Sequence, residues 1–142
     1  MSCILFFDGA CRRNPGPMAI GVVLMKNDKK LGELSRYIGT GTNNIAEWTS
    51  LIEGLKLATA HGCKELEVCG DSQLVIRQIK GQYKVKSGNL IPLFNEAKKL
   101  CGNFKVINFK WINREDNART DTLSNNALNM KILGKYKTGE LS

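Results

Sequence analysis

At 142 residues the chain has room for one domain with a real buried core and none for a second. Its hydrophobic fraction of 42% and charged fraction of 24% suit a soluble globular domain, and no apolar run approaches the roughly 18 residues of a membrane span. The net charge of +8 and pI near 9.4 direct attention to a polyanionic partner, with nucleic acid the first expectation over lysines that merely keep the surface soluble.

Met1-Ser2-Cys3 runs straight into Ile4-Leu5-Phe6-Phe7 with no basic region and no small-residue cleavage site. No signal peptide is expected, and the cytoplasm is the default location. The apolar run 3–7 ends at Asp8-Gly9 and reads as a central strand, buried on both faces and broken by a turn. After the Gly/Pro/Asn-rich loop 11–17, segments 19–25 and 31–39 read as two strands around the polar turn 26–30, paired as antiparallel hairpins. From residue 44 to about 61, Ile45, Trp48, Leu51, Ile52, Leu55 and Ala58 recur at helical spacing, and Gly62 supplies the stop. A short strand is expected at 65–69 and a helix at 72–80, stopped by Gly81. A basic loop follows at 82–88, then a helix at 89–100, a strand at 104–112 and a last helix at 119–130. The domain is therefore drawn at 1–130, with a loosely held basic tail at 131–142 poised to touch the substrate.

Three strands followed by helix-containing connections imply an α/β domain with a mixed sheet, because such connections favour parallel pairing. Sites in these sheets form outside the carboxyl ends of strands. Asp8 and Asp71 both close apolar runs, Glu47 lies in the first turn of the long helix, and Asp121 opens the last one.

Each acid has a structural reading of its own. Glu47 follows Asn44 at capping-box spacing, Asp71 can cap the helix it precedes, Asp121 can be an ordinary first-turn acid, and Asp8-Gly9 is a common turn pair. Together they say something else. Four converging carboxylates repel one another and raise their own pKa values unless a divalent cation compensates them. Mg²⁺ is the natural occupant, completed by substrate phosphates, and in a basic domain this points to phosphodiester chemistry. Two ions about 3.5 to 4 Å apart would activate the attacking water and stabilise the leaving oxygen. There is no phosphate-cradling G-x-x-x-x-G-K-[ST] loop and no Ser-His-Asp set, since the single histidine, His61, sits at a helix end. Five cysteines, an odd count without a C-x-x-C pair, are expected reduced, with Cys3 and Cys69 as small buried hydrophobes and one disulfide left open.

With those residues in place the chain resembles the type 1 ribonucleases H from Ile4 to about Leu128. DGACRRNPGP at 8–17 is similar to the family's first strand and substrate loop, and TNNIAEWTSLIEGL at 42–55 to its long helix. GDSQLVIRQIKGQYKVK at 70–86 matches its second aspartate segment and NARTDTLSNNAL at 117–128 its fourth acid. The resemblance implies a ribonuclease H-like fold, a five-stranded mixed sheet of order 3-2-1-4-5 flanked by helices. It implies Asp8, Glu47, Asp71 and Asp121 as ligands of two Mg²⁺ ions bound with substrate, Mn²⁺ being a possible substitute. The implied reaction is endonucleolytic cleavage of the RNA strand of an RNA/DNA hybrid, leaving 5′-phosphate and 3′-hydroxyl ends. Separately, the chain is expected to be a monomer with no membrane partner. Activity on double-stranded RNA stays open.

By the same matching Asn14, Asn43, Asn44 and Gln73 resemble minor-groove residues that read 2′-hydroxyls and base edges, and Thr42 a phosphate contact on the DNA strand. Amides can both donate to and accept from a 2′-hydroxyl, the group separating RNA from DNA. Capping remains the alternative for Asn43 and Asn44.

Three departures stand out. Loop 111–117, WINREDN, has no histidine where many bacterial members carry a mobile one. Arg114 is the expected replacement, as in the archaeal-like branch, able to hold a phosphate or help product leave but not to act as a base. The basic protrusion that some members insert after the second-aspartate helix is missing. Arg13 stands where glycine is common, and Thr120 precedes the last aspartate where alanine is common. Two other readings are a catalytically weak nucleic-acid-binding module of the same fold and a related DNA nuclease.

Overall fold

The computed structural model describes residues 2–136, with side chains described through residue 131. Strands β1 (Ser2–Cys11), β2 (Gly16–Lys26) and β3 (Lys29–Gly41) come first. They are followed by α1 (Asn43–Ala60), β4 (Glu65–Gly70), α2 (Gln73–Ile79), α3 (Ile91–Cys101), β5 (Val106–Trp111), a 3₁₀ turn (Arg114–Asn117) and α4 (Ala118–Tyr136). The sheet order is β3-β2-β1-β4-β5, as the resemblance implies. β1 pairs antiparallel with β2 and parallel with β4, and β4 pairs parallel with β5. The turn from β2 to β3 uses Asn27 and Asp28 at φ 53° and 63°, the two side chains best able to tolerate left-handed backbone.

The side-chain period of two in β1 divides the molecule. Cys3, Leu5 and Phe7 enter the main core with Trp48, Leu51, Leu55 and Ala58 of α1, Val75 and Ile79 of α2, and Ala97 of α3. Ile4, Phe6 and Asp8 point to the other face, where α4 packs across β2, β3 and β1. No described helix is long and apolar enough to cross a membrane.

Several boundaries differ from expectation. β1 is not broken at Asp8-Gly9: the strand continues to Cys11, with Asp8 opposite Gly21 and Cys11 opposite Met18. A turn pair is a local preference, and here β2 supplies a partner strand that overrides it. The last helix runs to Tyr136, past the expected end at 130, and of the expected tail residues 137–142 lie outside the described residues. The expectation of reduced cysteines fails at one pair. Cys3 and Cys63 form a disulfide across a Cα separation of 6.2 Å, joining the start of β1 to the loop before β4, while Cys11, Cys69 and Cys101 are free thiols.

Candidate active site

The site begins where one hydrogen-bond ladder stops and another continues. The parallel ladder between β1 and β4 ends at Phe7 and Gly70, so Asp8, still on β1, and Asp71, just past the end of β4, each lie one residue beyond it. Asp8 stays fixed because its own strand is still paired with β2. Gly9 follows, and its lack of a side chain is required: a Cβ there would meet the Ala46 carbonyl carbon at 2.3 Å. That close approach lets the Gly9 N–H donate to the Glu47 carboxylate.

α1 is capped by Thr42, whose hydroxyl accepts from Ile45 N–H at 3.2 Å. Glu47 therefore lies just past the first turn, takes no part in a capping box, and is free for the site. Asp71 is likewise not the cap of α2, because Ser72 accepts from Val75 N–H at 3.3 Å. Thr42 also removes capping as the reason for Asn43 and Asn44, which occupy the first two helical positions.

Asp8, Glu47 and Asp71 each place a carboxylate oxygen within 4.8 Å of the others. Asp8 and Glu47 are only 5% and 6% exposed. Burial, then the neighbouring Glu47 and Asp71 charges, push the Asp8 carboxyl up to about 10, with Asp121 adding to the same effect. Burial likewise lifts Glu47 to about 7, opposed by the hydrogen bond from Gly9 N–H. Among the described residues no lysine or arginine forms an ion pair with these three acids.

Asp121 touches the triad at Asp8, through a carboxyl–carboxyl hydrogen bond, without joining the three acids that lie close to one another. It lines the same cleft of about 460 Å³ from the first turn of α4, with Oδ1 3.7 Å from Arg114 Nη2 and 3.1 Å from Asn125 Nδ2. The structure thus draws three of the four expected acids into one cluster and sets the fourth at its edge, beside the expected arginine.

Residues to which the sequence assigns no role in the site hold the cluster in shape. Asn117, 1% exposed, donates through Nδ2 to Phe7 O at 3.0 Å and Asp71 Oδ2 at 3.3 Å. Its amide orientation is set by Thr120, whose hydroxyl donates to Asn117 Oδ1 at 2.5 Å. Trp111 Nε1 donates to the Asp71 carbonyl at 3.1 Å, and Ser124 Oγ reaches Asp8 Oδ2 at 3.4 Å. The sequence cues to Asn117 are its place at the head of the segment 117–128 and one helical turn before Asp121.

The expected reading residues gather beside the acids. Asn14 Oδ1 accepts from Asn43 N–H at 3.0 Å, tying the substrate loop to the start of α1, and Asn43 lines the cleft. Asn14, Asn43, Asn44 and Gln73 are all exposed, Gln73 on the first residue of α2. In the same loop Arg13 adopts φ 62°, a conformation that costs a residue with a Cβ on the order of 1 kcal/mol.

This fold and cleft have known counterparts. The family described as reverse transcriptase-like matches residues 6–127. A bifunctional protein of Mycobacterium tuberculosis is 39% identical over 130 residues, covering 90% of this chain and 36% of its own length. Ribonuclease HI of Halobacterium salinarum is 39% identical over 124 residues, 87% of this chain and 62% of its own. The chain thus spans about a third of the mycobacterial relative and under two thirds of the archaeal one. The crystal structure of LC11-RNase H1 in complex with an RNA/DNA hybrid superposes with a TM-score of 0.87 at 38% identity, over 92% of this chain and 99% of that one. The chain belongs to the reverse transcriptase-like family and, within it, to the type 1 ribonucleases H.

The donor set fits a hard divalent cation. Three carboxylates supply oxygen alone; Asp8 and Glu47 are buried with raised pKa values, and among the described residues no cationic side chain forms an ion pair with the three. No nitrogen or sulfur ligand joins them among the described residues.

Proposed function

We propose that this chain is an endoribonuclease that hydrolyses the RNA strand of RNA/DNA hybrids, leaving 5′-phosphate and 3′-hydroxyl ends. The observation that carries the reading is the convergence of Asp8, Glu47 and Asp71 at the end of the β1–β4 ladder, beside a row of exposed amides. Asp8, Glu47 and Asp71 would hold the divalent cations, with Asp121 joining from the cleft edge when substrate is bound. Two Mg²⁺ ions there, or Mn²⁺ in their place, supply activation of the attacking water and compensation of charge on the leaving oxygen.

The chain's own residues do the positioning. Gly9 N–H, Asn117 and Ser124 fix the rotamers of Glu47, Asp71 and Asp8, so the oxygens face one another without help from solvent. Asn14, Asn43, Asn44 and Gln73 read the minor groove, where an amide can donate to and accept from a 2′-hydroxyl. Thr42 holds a phosphate of the DNA strand with the hydroxyl hydrogen that its capping bond leaves free. Arg114, its side chain 78% exposed, reaches a substrate phosphate and eases product departure, a role for a permanent cation and not for a base.

The test is cleavage of end-labelled RNA/DNA hybrid, double-stranded RNA and double-stranded DNA in parallel, with Mg²⁺ or Mn²⁺, and analysis of the product ends. Hybrid cleavage on the RNA strand is expected, and the double-stranded RNA lane decides whether the substrate range is wider. No metal-dependent product under any condition would sink the enzyme reading. Preference for the DNA duplex would replace it with a DNA nuclease of the same fold.

A further inference from the structure

We propose that Arg13 is a phosphate-binding residue, a preset cation that grips the nucleic-acid backbone beside the reading amides. The inference rests on the cleft being a hybrid-cleaving site. It starts from a mismatch between residue and backbone. At φ 62° Arg13 occupies the left-handed region, where glycine is at ease and a Cβ is crowded. Asn27 and Asp28 also lie there, but short polar side chains tolerate that region and a long arginine has no such advantage.

Nothing among the described residues repays the placement. Among the described residues the Arg13 guanidinium makes no hydrogen bond, ion pair or ring contact, and the residue is exposed. The neighbouring Arg12 guanidinium is committed: its Nη2 donates to Asn129 Oδ1 of α4 at 2.6 Å. A side chain kept on unfavourable backbone without internal contacts points to a partner outside the chain.

The loop around it is rigid. Arg12 is tied to α4 through Asn129 and to Pro17 O through its own N–H at 2.9 Å, while Asn14 is tied to Asn43 N–H at the start of α1. Gly16 closes the loop so tightly that a Cβ would come within 1.8 Å of Arg12 O. Arg13 stands between these two clamps, one residue from a reading amide and two from Cys11, which lines the cleft. Its backbone is held and its side chain is free. A guanidinium offers donors in a planar fork and no acceptor, which matches two oxygens of a phosphodiester; reading a 2′-hydroxyl calls for the mixed donor and acceptor of the adjacent asparagines.

The decisive measurement is binding of a fluorescent RNA/DNA hybrid in EDTA, titrated across salt, for the parent and for Arg13→Gly, Arg13→Lys and Arg13→Glu, with a melting curve for each. Arg13→Gly is expected to melt within about 2 °C of the parent or above it, because relief of the left-handed strain offsets the added freedom of the unfolded chain. The same variant should bind roughly fivefold more weakly at moderate salt and lower the slope of log affinity against log salt by about one. In the cleavage assay with Mg²⁺ the loss should fall on KM more than on kcat. Arg13→Lys should recover most of the slope, and Arg13→Glu should bind more weakly than Arg13→Gly. Parent-like affinity and slope in Arg13→Gly would overturn the inference while leaving the hybrid reading intact. Should Arg13→Gly melt well below the parent, Arg13→Glu decides, since it keeps a side chain at the position, and an unchanged slope there also overturns it. A parent that binds no hybrid removes the functional reading and this inference with it.

Discussion

The two walls of the cleft are built on opposite electrostatic terms. On one, Asp8, Glu47 and Asp71 crowd together, two of them buried, with no cationic side chain paired to them among the described residues. On the other, Asp121 is 31% exposed in its side chain and already faces Arg114. The difference separates three acids under mutual charge strain until a cation arrives from a fourth that touches Asp8 but whose own charge Arg114 already partly offsets. The first should decide whether chemistry happens, and the second how fast the cycle turns.

The largest effect should come from emptying the crowded wall. Asp8→Asn or Asp71→Asn is expected to lower hybrid cleavage by at least about a thousandfold, roughly 4 kcal/mol of transition-state stabilisation. The fold should persist. Asp8→Asn should even melt higher than the parent in EDTA, because it removes a buried carboxyl whose charged form is penalised. A single-turnover assay paired with a melting curve checks both halves; wild-type rate in either variant removes that residue from the site.

Next comes the response to metal. In the metal-free protein Asp8 and Glu47 hold protons up to about 10 and about 7, while in the unfolded chain they release them near 3.8 and 4.5. The folded state therefore binds more protons across that window, and its stability falls as pH rises through it. A cation displaces those protons, so its binding strengthens with pH. With Mg²⁺ or Mn²⁺ at about a hundred times its dissociation constant, a gain near 2.7 kcal/mol is expected, some 8 °C in Tm. The gain should be larger at pH 8 than at pH 6, and Asp8→Asn should flatten the difference. A metal-induced shift independent of pH would show that the triad is not where the cation binds.

The exposed wall should respond less. Asp121→Asn is expected to cost about tenfold to a hundredfold in turnover, read in the same hybrid assay. A loss equal to that of Asp8→Asn would erase the distinction between the walls and make the fourth acid an equal ligand.

The contrast also marks what the sequence could reveal. The continuous apolar run 3–7 and the spacing of Trp48, Leu51 and Leu55 are local patterns, and they predict β1 and α1 without tertiary knowledge; the expected burial of β1 on both faces fails at Ile4, which is 37% exposed on the face opposite the main core. The order of strands came with the resemblance. What escaped was set by distant partners. Asn44 and Glu47 have capping-box spacing, yet Thr42 takes the cap and Glu47 meets Gly9, 38 positions away. Asp8-Gly9 has turn chemistry, but the missing Cβ serves the approach of Ala46 and the strand continues. Asn117 gains its role from Phe7, separated by 110 positions, and Cys3 finds Cys63 across 60. Short-range rules place the acids at element ends; only the sheet and the packing of α1 say which ends meet.

The smallest effect should come from Arg114→Ala. An exposed pair at 3.7 Å is worth at most about 1 kcal/mol, so Tm should hardly move. Turnover should fall about fivefold, and the pH dependence should keep its shape because a guanidinium does not titrate in the working range. Arg114→Lys should recover part of the loss, and an unchanged steady-state rate in Arg114→Ala would make the loop only structural. The double variant Arg114→Ala with Asp121→Asn then separates two ways of acting. If Arg114 works by holding Asp121, its removal adds nothing once the aspartate charge is gone. If it contacts a substrate phosphate directly, the two losses multiply. The exposed position of the guanidinium favours the second outcome, since a group meant only to orient Asp121 would gain from being buried against it.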